Sequence, residues 1–220
     1  MTRPLLLGHR GARAARHVPE NTLASFELCL QHGCDGFEFD VRSSSDEVAV
    51  ICHDPLSREL EIEQTPANIL ALPTLQDVLR QFASRAFLDI ELKVVGLEAQ
   101  TIAALREHPP QKGYVISSFR PEVLTAVHEL APHVPLGLLF DRREQISMEG
   151  RASSPAELLA AWMIPHLDLI DRKLIDRFHD AGQKVMAWTV NRAEQMRQFA
   201  DWGVDAFISD ETEVMVRSLR

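Results

Sequence analysis

The feature that most constrains this 220-residue sequence is a repeated alternation of short β-type runs with longer helical patterns. Strands that alternate with helices in this way build a parallel sheet from βαβ units. The β-type runs are predicted over residues 5–8, 36–41, 48–52, 87–92, 114–117, 136–140, 162–165, 184–190 and 206–209. The helical patterns are predicted over residues 22–32, 75–82, 97–107, 121–130, 155–161, 172–181, 192–202 and 212–219.

One of the nine β-type runs stands apart from the other eight. Only a polar turn over residues 43–47 separates the runs at 36–41 and 48–52. A parallel crossover needs about a dozen residues, so these two runs are predicted to form an antiparallel hairpin. The other eight are each followed by a helix at roughly 27 residues per unit, which fits a (β/α)8 TIM barrel. The alternative is a doubly wound open sheet.

The predicted α/β barrel forms one domain over residues 1–220, with the hairpin extending its second strand and a short lid insertion. The longest irregular pieces, residues 54–73 and 141–154, follow strand ends and are candidate lids. Both lie where a TIM barrel carries its active site, because that site is built from the loops after the strands.

The composition excludes several classes of protein. The formal net charge is −9, with 45% apolar and 25% charged residues, which is ordinary for a globular chain and disfavours nucleic acid as a partner. The three cysteines have no CxxC spacing, which argues against a disulfide framework or a structural zinc site. We expect a cytoplasmic protein, because no apolar run is long enough for a signal-peptide core or for stable membrane insertion.

Charged side chains occupy the inward faces of two predicted barrel strands. Glu38 and Asp40 are two residues apart, so the strand period of two points both carboxylates to one face. The next barrel strand carries Asp89, Glu91 and Lys93 in the same alternation. The carboxyl ends of neighbouring parallel strands meet at one end of a barrel, so these groups are predicted to converge at its mouth.

Two histidines are predicted to reach the same barrel mouth. His9 ends the first strand. If the hairpin turn is centred between residues 45 and 46, residues whose numbers add up to about 91 face one another, and His53 lies opposite Glu38. Cys52 then points to the other face of its strand, so we do not expect it to act as a nucleophile.

Inward-facing charges are unfavourable unless they are paired or bound to a metal. The oxygens of Glu38, Asp40 and Glu91 form a set that suits a hard divalent cation, Mg²⁺ or Ca²⁺. Zinc is less suited, although histidine ligation would admit it. The alternative is a buried lattice of ion pairs, in which the carboxylates neutralise basic neighbours. Those neighbours are Arg10, Arg42 and Lys93.

These residues closely resemble the glycerophosphodiester phosphodiesterase family over almost the whole chain. The motifs that carry the resemblance are His9-Arg10-Gly11, Pro19-Glu20-Asn21-Thr22, Glu38-Phe39-Asp40-Val41, His53-Asp54, Glu91-Leu92-Lys93, Ser117-Ser118-Phe119, Trp188-Thr189-Val190-Asn191 and Val204-Asp205-Ala206-Phe207-Ile208-Ser209-Asp210. Their order and spacing match the family pattern, and that combination is highly specific. The resemblance implies a TIM barrel that hydrolyses glycerophosphodiesters to glycerol 3-phosphate and an alcohol.

The resemblance also implies roles for individual side chains. A divalent metal would lie on Glu38, Asp40 and Glu91, the acid–base pair would be His9 and His53, and the phosphate ligands would be Arg10 and Lys93. Which histidine is the acid stays open, as does the choice between Mg²⁺ and Ca²⁺. The family often carries a larger insertion after its His-Asp motif, so the short segment here leaves the identity of the alcohol open.

Three further residues are assigned more loosely. Glu20 is expected to orient Arg10 or the metal shell. Asn21 or Thr22 is expected to cap the first helix, and Asn21 is favoured because asparagine is a preferred N-cap residue and a helical pattern follows it. Trp188, near a strand end, either packs on the glycerol carbons or fills the top of the barrel.

Two functional alternatives remain at this point. The first is a lysophospholipase D-like or sphingomyelinase D-like hydrolase, which an apolar groove beside the site would favour. The second is a module that binds glycerophosphodiesters without hydrolysing them, which does not need two histidines for acid–base chemistry. For the hydrolase, we expect the hydroxyl of the substrate glycerol to attack the phosphorus and form a cyclic phosphate, because an intramolecular nucleophile is already held in place.

Overall fold

The structure, a computed structural model, describes residues 3–146 and 155–220. Its strands are β1 (Leu5–His9), β2 (Gly36–Ser43), β3 (Ala49–Ile51), β4 (Leu56–Ser57), β5 (Leu60–Glu61), β6 (Phe87–Leu92), β7 (Tyr114–Ser118), β8 (Leu136–Phe140), β9 (Trp162–Pro165), β10 (Lys184–Ala187) and β11 (Ala206–Ser209). Its α-helices are α1 (Leu23–Gln31), α2 (Ala67–Leu70), α3 (Leu75–Phe82), α4 (Glu98–Glu107), α5 (Pro121–Leu130), α6 (Pro155–Leu159), α7 (Arg172–Asp180), α8 (Ala193–Trp202) and α9 (Thr212–Leu219).

Eight of these strands close into a parallel barrel. They follow the order β1, β11, β10, β9, β8, β7, β6 and β2, and the pairing of Gly8 with Phe37 between β1 and β2 closes the ring. The predicted TIM barrel is therefore confirmed, and the open sheet is excluded. In the described residues, every helix is too short or too polar to cross a membrane bilayer.

The predicted hairpin is present, but its register was predicted wrongly by one residue. β3 pairs antiparallel with β2, and Val41 faces Ile51. The turn is centred on residue 46, because the Ser44 hydroxyl accepts from the backbone N–H of Val48 and Glu47 takes a left-handed φ of 60°. As a result His53 does not face Glu38 across the ladder and instead lies beyond the end of β3.

The predicted lid at residues 54–73 contains regular structure that the sequence did not suggest. β4 and β5 form a separate two-stranded hairpin, followed by a 3-10 turn at Ile62–Gln64 and by α2. In the second predicted lid, a 3-10 turn forms at Arg143–Gln145, and residues 147–154 lie outside the described residues. Two predicted elements end early, since β10 stops at Ala187 and α6 at Leu159.

The core has two layers, one outside the barrel wall and one inside it. Outside, Phe26 of α1 stacks on Phe37 of β2 with ring centroids 4.2 Å apart, and Phe82 of α3 meets the same ring edge-on. The β2 and β6 backbones approach so closely here that a Cβ on Gly36 would lie 1.8 Å from the Phe87 carbonyl oxygen. Inside, β8 to β11 contribute apolar side chains, while β1, β2 and β6 contribute the charged groups.

Candidate active site

Three buried carboxylates lie together at the mouth of the barrel. Glu38 and Asp40 come from β2 and Glu91 from β6, and the parallel register sets Asp40 beside Glu91. One oxygen of each residue lies within 4.8 Å of the others. The sequence-predicted carboxylate cluster is therefore assembled by the pairing of two neighbouring strands.

Two cations accompany this carboxylate cluster. The Lys93 Nζ lies 2.7 Å from Glu91 Oε1 and 3.2 Å from Asp40 Oδ1, and the Arg10 Nε lies 3.3 Å from Asp40 Oδ2. Arg42 does not join them, because its Nε donates to the His53 carbonyl oxygen. The predicted ion-pair lattice is thus present only in part.

The pKa values of the cluster indicate negative charge that its cations do not fully balance. Burial, then Asp40 and Glu91, raises the pKa of Glu38 well above its ordinary value. Burial also raises the pKa of Glu91 to about 7, against the opposing effect of Lys93. Burial acts on Asp40 too, but Lys93 and Arg10 outweigh it and lower the pKa of that carboxyl. Such carboxylates gain from a divalent cation.

A fourth carboxylate, Asp89, lies one layer deeper in the barrel. It is fully buried beside Glu38 in the β2–β6 register and accepts a 2.6 Å hydrogen bond from the Ser117 hydroxyl. Burial raises the pKa of Asp89 to about 7. If all four carboxyls are ionised, they exceed the two neighbouring cations by two charges. Glu38 Oε1 and Asp89 Oδ2 are also buried without a hydrogen-bond partner in the described chain. The donor set therefore fits a hard divalent cation.

His9 is oriented by a carboxylate that the sequence analysis did not assign. Its Nδ1 lies 2.7 Å from Asp210 Oδ1, and its Nε2 lies 3.9 Å from Glu38. Asp210 in turn accepts from Asn191 and Arg13. Although burial opposes it, the bond with His9 lowers the pKa of Asp210 well below its ordinary range. The signal for Asp210 was its position directly after the last strand.

His53 reaches the same pocket from the far end of the hairpin. Its Nδ1 lies 2.7 Å from Asp54 Oδ1, and that carboxylate is largely exposed. Burial lowers the pKa of His53. The two histidines therefore differ, because His9 is paired with a partly buried carboxylate that other residues hold, whereas His53 is paired with an exposed one.

The segment before α1 supports both Arg10 and the carboxylate cluster. Glu20 accepts from Arg10 Nη1 at 2.7 Å and also pairs with Arg13. Asn21 does not cap the helix, because Thr22 accepts from Ser25 N–H in that role. Asn21 instead donates through Nδ2 to Asp40 Oδ2 at 2.8 Å. The preference for Asn21 as the cap was wrong because its amide is bonded to Asp40, and the alternative, Thr22, takes the extended N-cap position.

One wall of a pocket of about 180 Å³ is formed by six of these groups: His9, Arg10, Glu38, His53, Glu91 and Lys93. The facing wall is apolar and consists of Phe119, Leu139, Trp188 and Ile208. Trp188 lies edge-on to Phe119 at 5.4 Å and donates through Nε1 to the Ile164 carbonyl oxygen, so it both lines the pocket and closes the barrel top. The sequence analysis missed Phe119, Leu139 and Ile208 as pocket residues, since each has the pattern of an ordinary core residue.

Comparison with known proteins agrees with this arrangement. The sequence profile of the glycerophosphoryl diester phosphodiesterase family matches residues 9–79 and 56–214. A glycerophosphodiester phosphodiesterase from Caldanaerobacter subterraneus subsp. tengcongensis is 29% identical over 243 residues, which cover 98% of each chain. A solved Oleispira antarctica phosphodiesterase, in complex with the product sn-glycerol-3-phosphate, is 30% identical with a TM-score of 0.84, over 98% of this chain and 96% of that one. The resemblance seen in the sequence is thereby confirmed, and the chain belongs to the glycerophosphoryl diester phosphodiesterase family.

Proposed function

We propose that this protein hydrolyses glycerophosphodiesters to glycerol 3-phosphate and an alcohol, with a divalent cation as cofactor. The observation that carries the proposal is the convergence of two histidines, two carboxylates and two cations on one pocket, with the third carboxylate, Asp40, clustered with Glu38 and Glu91. The family assignment supports the reaction class, and the product held by the Oleispira antarctica relative supports a glycerol phosphate as the ligand.

The metal ligands in this proposal are Glu38, Asp40 and Glu91. A bound Mg²⁺ or Ca²⁺ would supply positive charge to the phosphoryl oxygens, which is the main requirement of phosphoryl transfer. Asn21 keeps the Asp40 carboxylate in position through its 2.8 Å hydrogen bond, so it acts as a positioning residue for that ligand.

The two histidines are proposed to divide the acid–base work according to their surroundings. Asp210 stabilises His9 when that ring gains a proton, which suits His9 as the base that accepts the proton of the attacking hydroxyl. Burial lowers the pKa of His53, which makes its protonated ring the stronger acid and suits it to protonate the departing alcohol.

Arg10 and Lys93 are the proposed phosphate ligands. Both lie against the carboxylate cluster, and Glu20 fixes the Arg10 guanidinium through Nη1. A planar guanidinium can bind two phosphate oxygens at once, so we assign Arg10 the stricter positional role. Trp188, on the apolar wall, is proposed to contact the glycerol carbons.

We further propose that the nucleophile belongs to the substrate. The glycerol hydroxyl next to the phosphoester carbon attacks the phosphorus as His9 takes its proton, and the alcohol leaves with a proton from His53. Water then opens the cyclic 1,2-phosphate with the histidines in exchanged roles. A diester that lacks this hydroxyl should bind but barely turn over. Turnover similar to that of the natural substrate would exclude the cyclic route.

The deciding experiment incubates the purified protein with glycerophosphocholine and glycerophosphoethanolamine, with and without Mg²⁺ or Ca²⁺, and assays glycerol 3-phosphate. Metal-dependent release of glycerol 3-phosphate is expected. Tight binding of the diesters in a calorimeter without any release would instead favour the binding module. The cytoplasmic location and the single domain over residues 1–220 stay predictions.

A further inference from the structure

We infer that a groove beside His53 binds a hydrocarbon chain carried by the alcohol part of the substrate. This inference rests on the proposed phosphodiesterase function and names a substrate class for it: glycerophosphodiesters whose alcohol is an alkyl or acyl-bearing one. The apolar walls of the groove and its continuity with the reaction pocket both support it.

The groove has a volume of about 280 Å³ and lies between the segment before α1 and the hairpin of β4 and β5. Much of its lining is apolar, and the apolar residues include Ile51, Cys52, Leu56, Leu72 and Pro73. Leu56 is 51% exposed, so its side chain offers apolar surface to a ligand in the groove. An aliphatic chain would remove this surface from water, whereas a small polar head group would leave it exposed.

His53 joins the groove to the site of bond cleavage. It is the residue that the lining of the 180 Å³ reaction pocket shares with the lining of the 280 Å³ groove. The reaction pocket has room for the phosphate and the compact glycerol part, with apolar side chains such as Trp188 on its far wall. If His53 protonates the departing alcohol, that alcohol leaves on the His53 side, and its substituent continues into the groove.

The hairpin that forms one wall of the groove has a defined shape. Ser57 pairs with Leu60, so only Arg58 and Glu59 form the turn, and their φ angles are 49° and 67°. Two left-handed central residues define the tight turn that matches the twist of a hairpin. This turn sets Leu56 on a regular strand rather than on a free loop, so the wall is already formed for a ligand.

Charged residues also line the groove, and they define the competing occupant. Glu20, Asp54 and Arg58 contribute two negative charges and one positive charge. The two carboxylates would attract the positive charge of a choline or ethanolamine group. Glu20, however, is already paired with Arg10 and Arg13. Asp54 is 74% exposed, where a charge contact is worth little. The apolar walls therefore outweigh the carboxylates.

The test compares diesters of glycerol 3-phosphate with ethanolamine, butanol and octanol, all below their aggregation concentrations. The expected kcat/KM rises from butanol to octanol by roughly twofold to fourfold per methylene, as for transfer of a chain out of water. A lysophosphatidylethanolamine, whose chain is on the glycerol part, should show no such gain. A gain for that lipid alone would overturn the assignment of the chain to the alcohol.

Two matched variants locate the effect. Leu56→Ser should lower kcat/KM for the octanol diester about fivefold and leave the ethanolamine diester unchanged. Ile69→Ser, in the same segment and 58% exposed but outside the groove, should change neither. If Leu56→Ser leaves the chain-length series unchanged, the groove is not the binding site and the inference is overturned.

A binding measurement separates this inference from the proposed function. The His9→Ala variant should bind the octanol diester at least tenfold more tightly than the ethanolamine diester in a calorimeter, whether or not the wild type hydrolyses either one. Equal affinities would overturn the groove assignment. Absence of turnover for every diester would overturn the proposed function instead.

Discussion

The two halves of the barrel interior have opposite chemistry although their strands have the same geometry. β1, β2 and β6 point His9, Glu38, Asp40, Asp89 and Glu91 inward. β8 to β11 contribute apolar side chains to the described interior, and these include Leu139, Ile164, Met186 and Ile208. The fold therefore imposes no particular chemistry on its interior, and the residues at alternate strand positions decide it.

The difference also shows how the molecule supports an unfavourable site. Each fully buried aliphatic side chain of the apolar half contributes about 1.5–3 kcal/mol to the free energy of unfolding. The charged half contributes buried carboxyls whose ionisation is disfavoured, as the raised pKa values of Glu38 and Glu91 indicate. Half of the barrel thus stabilises the fold, and the other half concentrates charge for chemistry.

The largest expected effect is the loss of turnover on metal removal, which depends on the charged half of the barrel alone. Exhaustive chelation should abolish turnover, and Mg²⁺ or Ca²⁺ should restore it, because the carboxylate cluster without a cation repels the phosphate. Glu38→Gln should weaken the binding of the restoring metal, measured by titration against activity. Glu98→Gln changes a buried glutamate outside the barrel and should leave activity and metal response unchanged. Full activity after verified metal removal would exclude the ligand assignment.

The next largest effect is expected at the histidines. His9→Ala and His53→Ala should each lower kcat by roughly 10²–10⁴-fold, because each removes one of the two proposed proton-transfer groups. The wild-type pH–rate profile should be bell-shaped, since one ring acts as base and the other as acid. His17→Ala changes an exposed histidine and serves as the control. Near-normal turnover in either variant, measured by glycerol 3-phosphate release, would leave that histidine with a structural role only.

A smaller effect is expected on stability, from Asp89. The folded-state pKa of Asp89 is about 7, above its ordinary 3.8, so the folded protein holds a proton that the unfolded chain releases. Stability of the metal-free protein should therefore fall as pH rises from 4 to 7. Asp89→Asn removes this loss of stability, because an asparagine side chain does not ionise. Its amide oxygen can still accept the hydrogen bond of the Ser117 hydroxyl. Its stabilisation relative to wild type should be about 3 kcal/mol larger at pH 8 than at pH 5.

Urea unfolding of chelated protein at the two pH values measures this difference. Asp77→Asn is the control, because the pKa of that carboxyl is lowered by Thr74 in the capping box of α3, and it is ionised at both pH values. The cost of Asp77→Asn should be the same at pH 5 and pH 8. A stability change for Asp89→Asn that does not depend on pH would show that Asp89 is already ionised in the folded protein at pH 5.

The two halves also differ in how well the sequence predicts them. The clustering of Glu38, Asp40 and Glu91 could be predicted because charges on inward strand faces are unfavourable unless they are paired or bound to a metal. Apolar residues such as Leu139 and Ile208 could not, because a residue that lines a pocket has the same pattern as one that fills a core. The predicted register of the β2–β3 hairpin was wrong for a local reason. The Ser44 hydroxyl and the left-handed backbone of Glu47 centre the turn on residue 46.

The smallest effect is expected from the apolar wall of the reaction pocket, at Phe119. Its ring is partly exposed, packs edge-on against Trp188 and lies 5.9 Å from Lys93 Nζ. Phe119→Ala should raise KM about tenfold, equivalent to about 1.4 kcal/mol, and change kcat little, because the proposed contact of this wall with the glycerol carbons is the same in the ground state and the transition state. Phe119→Leu keeps an apolar surface and should stay within about threefold of wild type. A fall in kcat at unchanged KM would instead indicate that Phe119 acts through Lys93 on the phosphate, and the apolar wall would then share in the chemistry.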